Sequence, residues 1–245
     1  MRTKIELEGI NKRFADVVAV RDVSLSVNEG EVFGILGPSG AGKSTLLKLV
    51  DLLEAPDSGY ISIDGKRVDA RSGAACETRK HIGMVLQKPV VLNRSVWNNL
   101  AFPLRLRGWQ EDKIEEKVDS ELRKLGLHER RGKNARILSG GEMQRLCFSR
   151  ATIHDPSILL LDEFAANLDP ANVVLLEDQV RRYLSEKDER TVMIVTHNLF
   201  QAKRMCDRIA LMWNGDIIEV AERERFFGDP DDPRTSAFVK GELVY

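Results

Sequence analysis

The stretch "GPSGAGKST", Gly37 to Thr45, constrains this chain more than any other. It follows the continuous apolar run "EVFGIL" and leads into "LLKLV". Strand, glycine-rich turn and apolar helix, in that order, turn backbone N–H groups inward around an anion. Gly37, Gly42, Lys43 and Ser44 have the spacing G-x-x-x-x-G-K-[ST], with Pro38, Ser39, Gly40 and Ala41 between them and Thr45 after them. Glycines remove the Cβ collisions that a tight loop would suffer. The helix N-terminus adds partial positive charge at the same point. Lys43 is spaced to reach the β- and γ-phosphates of a nucleotide, and the Ser44 hydroxyl to ligate Mg²⁺.

A loop of this kind needs a carboxylate, and "ILLLDE" supplies Asp162 and Glu163 at the end of another apolar run. Asp162 is placed to hold the metal and Glu163 to polarise an attacking water. "EVFGIL", "ILLLDE" and "TVMIVTH" are apolar throughout, as parallel strands buried on both faces are. "KIELEGI", "DVSLSV" and "YISIDGK" alternate instead, which predicts a half-exposed antiparallel layer. Ile114, Val118, Leu122 and Leu125 share one helical face, and so do Val173, Leu176, Val180 and Leu184. Asn214-Gly215 reads as a hairpin turn. The expected fold is therefore α/β: a mixed-sheet core with an antiparallel subdomain and an inserted helical subdomain at about 88–154, all one domain over 1–245. The ending "DPDDPRTSAFVKGELVY" is rich in turn formers and is expected to wrap the surface.

Bulk properties narrow the partners. The formal net charge of −1 over 245 residues gives no basic surplus for nucleic acid. Cys76, Cys147 and Cys206 lack paired spacing and are expected to be buried or half-buried free thiols. The N-terminus "MRTKIELEGINKRF" has no signal-peptide core, and no apolar run approaches the ~20 residues that span a bilayer. A cytoplasmic chain is expected, with any membrane span supplied by another polypeptide.

"LSGGEMQR" adds a second helix start. Ser139 and Glu142 form a capping-box pattern, and Gly140 and Gly141 would let an anion approach the first amides. One ATP needs one such loop, so the second could face a nucleotide held by another copy.

With these motifs in this order, the sequence resembles an ATP-binding cassette, the motor subunit of an ABC transporter, over essentially its whole length. "GPSGAGKST" resembles the Walker A loop, "ILLLDE" Walker B and "LSGGEMQR" the family signature. Gln87 resembles the Q-loop glutamine, which the family uses at the metal and catalytic site. "NLD", Asn167 to Asp169, resembles the D-loop, His197 the switch histidine, and Phe14 the aromatic that stacks on adenine. Phe164, where many members have proline, is a departure that removes no nucleotide contact. The resemblance implies ATP and Mg²⁺ as cofactors and an ATP-sandwich dimer with a second copy, at the cytoplasmic face of the membrane. There it implies docking on permease subunits, through a groove lined by "KPVVLNRSVWNNL", and indirect work with a solute-binding protein. The segments around Gln87 to Gly108, His197 to Arg208 and the tail are similar to oxyanion importer cassettes of the tungstate and phosphate group. A polar amino-acid importer and a non-transport cytosolic ATPase are the alternatives.

Overall fold

The computed structural model describes residues 2–166 and 168–242. Strand β1 (Thr3–Phe14) pairs antiparallel with β2 (Val17–Asn28) and with β4 (Ser58–Ile63), and β4 with β5 (Lys66–Val68). This four-stranded sheet has the order β2-β1-β4-β5. Alternation in its sequence appears as alternating burial, with Ile5, Leu7 and Ile10 inward.

A six-stranded sheet has the order β10-β9-β3-β8-β7-β6. Its members are β3 (Val32–Leu36), β6 (Ile82–Val85), β7 (Ile158–Asp162), β8 (Thr191–Val195), β9 (Arg208–Trp213) and β10 (Asp216–Glu222). Every residue of β3, β7 and β8 is buried, which is why those runs carry no alternation. All pairs are parallel except β9–β10, closed by the Asn214-Gly215 turn with φ of 50° and 89°.

Helices α1 (Lys43–Val50) and α2 (Gly73–Arg79) belong to the first half. α3 (Val96–Leu106), α4 (Glu111–Lys124) and α5 (Gly140–Thr152) form the helical region between β6 and β7. α6 (Pro170–Ser185), α7 (Leu199–Met205), α8 (Arg223–Gly228) and α9 (Pro233–Lys240) follow. One apolar core lies between the two sheets and includes α1; a second covers the opposite face with α6 and α7; a third belongs to the helical region. Ile114, Val118 and Leu122 of α4 are completely buried in the third, each worth about 2 kcal/mol.

Two expectations are corrected, for Cys76 and for the turn formers of the tail. On α6, Leu176 and Val180 are buried as the shared face predicts, Leu184 packs half-buried against the second core, and Val173, in the first turn, is half-buried. Cys76 is exposed, since α2 turns only Ala75 inward; Cys147 and Cys206 are buried, and burial pushes both thiols up. Within the tail Pro233–Lys240 fold as α9, which buries Thr235 and Phe238 and leaves its other positions partly or fully exposed, while residues 243–245 lie outside the described residues. The tail's turn formers are helix punctuation: Asp232 caps, Pro233 opens and Gly241 closes at φ 71°. "KPVVLNRSVWNNL" contains both exposed and inward-packed positions. Val90 is exposed, but Trp97 packs against the helical core and donates Nε1 to Asp119 at 3.1 Å.

Candidate nucleotide site

The glycine loop spans the gap between β3 and α1, and its shape is enforced from behind. A Cβ on Gly42, at φ 103°, would lie 2.0 Å from the Ala19 carbonyl oxygen, so only glycine fits. The β9–β10 turn braces the loop, Gly215 N–H donating to Ala41 O at 3.0 Å. Lys43 is buried and donates to the carbonyls of Gly37 at 2.8 Å and Pro38 at 2.7 Å. Burial lowers its pKa, against the pull of Glu163 and Asp162.

The carboxylates stand beside it. Ser44 Oγ donates to Asp162 Oδ1 at 2.9 Å, joining the start of α1 to the end of β7. Burial raises the Asp162 pKa, the Ser44 bond opposes that, and Glu163 adds to it. The next residue, Glu163, adopts φ 42°, the left-handed region that side chains avoid, and its N–H donates to Val195 O at 2.8 Å. Two exposed side chains converge on its carboxylate. Gln87 Nε2 donates to Oε2 at 2.7 Å, and His197 Nδ1 lies 3.2 Å from Oε1. So residues following β3, β6, β7 and β8 meet at the C-terminal edge of the parallel sheet.

Phe14 is no core aromatic: it is 44% exposed at the β1–β2 hairpin, with Lys12 Nζ 5.0 Å from its ring centre. Ser139 caps α5 through a complete capping box with Glu142, and its hydrogen bonds do not reach the glycine loop. Gly140 is open on its outer side, whereas a Cβ on Gly141 would lie 2.3 Å from the Asn172 side chain. Packing therefore requires glycine at 141 independently of any anion. Asp169 caps α6, accepting from Asn172 N at 3.0 Å; Asn167 lies outside the described residues.

Sequence reasoning missed two positioning residues. Gln144, almost wholly buried, donates to Leu86 O at 3.2 Å and Phe164 O at 2.7 Å, tying α5 to the neighbours of both Gln87 and Glu163. Asn172 takes a hydrogen bond from Arg145 and gives one to Asp169 Oδ2 at 2.6 Å, joining α5 to the start of α6. A glutamine among the apolar positions of "LSGGEMQRLCF" was the available signal for the first; the second had none.

A strand, a braced glycine loop with its lysine, and an acidic pair at the end of β7, one strand removed from β3 in the sheet, define a P-loop ATPase. A family model described as "ABC transporter" matches residues 20–166, and the chain belongs to that family. It is 39% identical to the phosphate import ATP-binding protein PstB 2 of Natronomonas pharaonis, covering 98% of this chain and 88% of that one. It is also 39% identical to the methionine import ATP-binding protein MetN 4 of Oceanobacillus iheyensis, over 96% of this chain and 70% of that one. Among solved structures, the dimeric, post-hydrolysis ATP-binding cassette MJ0796 bound to ADP and Pi superposes with a TM-score of 0.81. The two are 25% identical, over 89% of this chain and 98% of that one. Among the described residues no helix is long and apolar enough to cross a membrane.

Proposed function

We propose that the whole chain, 1–245, is the ATP-hydrolysing subunit of an ABC importer, working as a peripheral subunit at the cytoplasmic face beneath a separate permease. The observation that carries this reading is the convergence of Gln87 and His197 on Glu163, beside the Ser44–Asp162 pair. The import functions of the two relatives support the direction of transport.

Lys43 and the loop amides would hold the phosphates, and exposed Phe14 would stack on the adenine. Glu163, steadied by Gln87 and His197, would accept a hydrogen bond from the attacking water and draw its proton. The donor set suits Mg²⁺, a hard cation that prefers oxygen ligands: a hydroxyl, a buried carboxylate and the Gln87 amide oxygen. Ser44, Asp162 and Gln87 would hold it, and its charge would offset that developing on the phosphates. Ser139 and Gly140, exposed on their own chain, would face the nucleotide of a second copy, as would Asp169 beside them. ATP would then close the dimer and hydrolysis release it.

The substrate is an oxyanion of the tungstate and phosphate group, taken from a solute-binding protein. The phosphate-import relative supports this; the methionine-import relative supports an amino acid. Reconstitution in vesicles with the cognate permease and binding protein tests both levels. Tungstate or phosphate should stimulate ATP hydrolysis, and Glu163→Gln should keep ATP binding while turnover falls at least about a hundredfold. Stimulation by methionine alone would refute the oxyanion, and turnover by Glu163→Gln at the normal rate would refute the role of Glu163.

A further inference from the structure

A cavity of about 1080 Å³ opens between α4, the end of α5 and α6. His81 and Asp155 on its wall lie before β6 and β7, whereas Gln87 and Asp162 lie at the other ends of those strands. A five-residue strand spans about 17 Å, so the sheet separates this cavity from the P-loop.

Its lining is cationic in a chain of net charge −1: eight lysines and arginines against four carboxylates. Those carboxylates are engaged. Asp155 binds Lys187 and Arg190, Glu186 binds Arg190, Glu121 binds Ser149 and Lys124, and Asp178 binds Arg181. Among the described residues, Arg107, Lys117 and Arg182 have no carboxylate partner.

Buried polar atoms without partners also collect here. Of seven such atoms among the described residues, five belong to this lining: Arg107 Nε, both His154 ring nitrogens, Gln179 Oε1 and Arg190 Nε. Burial lowers the Arg107 pKa. It also pushes His154 down to about 4, aided by Arg107 and opposed in part by the Ile82 backbone and Asp155, although neither ring nitrogen completes a hydrogen bond. Water could satisfy the orphaned atoms, but it would leave the surplus charge unbalanced.

We propose that this cavity is a second ligand site, taking a phosphorylated small molecule through Arg107, Lys117 and Arg182. Several separated cations call for a multivalent anion, and guanidinium forks match phosphate oxygens. The volume suits a ligand of nucleotide size. α5 runs from Gly140, capped by Ser139, to Thr152 on the cavity wall, so a ligand here would bear on the helix that presents Ser139 and Gly140.

The test is calorimetric titration of inositol hexakisphosphate, a polyphosphate without a base, into the full chain already saturated with Mg²⁺ and AMP-PNP. One further binding event is expected. The double variant Lys117→Glu/Arg182→Glu, both positions exposed, should weaken it at least about tenfold and leave AMP-PNP affinity unchanged. Arg107→Gln should weaken it too, and Lys66→Glu, exposed on β5, should not. Co-sedimentation with phosphatidylglycerol vesicles, lost in the double variant, would make the phosphoryl group a lipid headgroup. Polyphosphate binding without sedimentation would make it a soluble molecule. Absence of a binding event, equal weakening by Lys66→Glu, or displacement of AMP-PNP would overturn the proposal.

Discussion

Asp51 caps the end of α1, the helix that follows the P-loop, and is only 8% exposed. Burial raises its pKa to about 7, with Arg79 pulling the other way. The unfolded chain titrates this group near 3.9, so between about pH 4 and pH 7 the folded form binds more protons and stability falls as pH rises. Asp51→Asn, which keeps the shape and cannot ionise, should be more stable than the parent at pH 8, by an amount on the order of 4 kcal/mol, and level with it at pH 4. Equal melting points at both pH values would show that the carboxylate is accommodated in its charged form. Nothing in the sequence marks this residue, because its burial comes from packing between α1 and distant chain. Lys43, Ser44 and Asp162 were legible because their chemistry is fixed by loop spacing and by position at a strand end. Gln144 was not, since its partners, Leu86 O and Phe164 O, are main-chain atoms far along the chain.

At the scale of elements, α5 starts with two glycines whose surroundings differ. A methyl group added at Gly140 would meet open space, whereas Gly141 is pressed on Asn172. Gly140→Ala should therefore raise the melting stability of the monomer by up to about 1 kcal/mol through helix propensity. It should still reduce ATP hydrolysis, because the methyl group would stand where the second copy's phosphate is expected. Gly141→Ala should destabilise by about 1–3 kcal/mol, since Asn172 is held between Arg145 and Asp169 and cannot easily withdraw. Thermal unfolding of the two variants beside their ATPase rates checks both; the same sign of stability change in each would remove the distinction. The α5 capping box was readable from Ser139 and Glu142. The reason for Gly141 was not, because it lies in a contact between helices about thirty residues apart.

Across the whole molecule, the proposed dimer makes each site depend on two copies. Ser139→Arg should leave ATP binding by the monomer unchanged, since Ser139 has no bond to its own P-loop. It should abolish the ATP-dependent dimer in size-exclusion chromatography when placed on a Glu163→Gln background. A monomer that loses ATP affinity would count against the two-copy site. The large plan was legible for the same reason the site was: fully apolar runs mark the buried sheet and alternating ones the outer sheet. The tail was misread because aspartate, proline and glycine punctuate helices as readily as loops. Glu163 carries a different lesson. Its left-handed backbone costs about 1–2 kcal/mol that glycine would avoid, while its carboxylate is the group that Gln87 and His197 hold. A laboratory lineage selected for heat resistance alone would drift toward glycine at this position. Its descendants would be sturdier, silent proteins, and their ancestry of work would survive only in the loop that still binds phosphate.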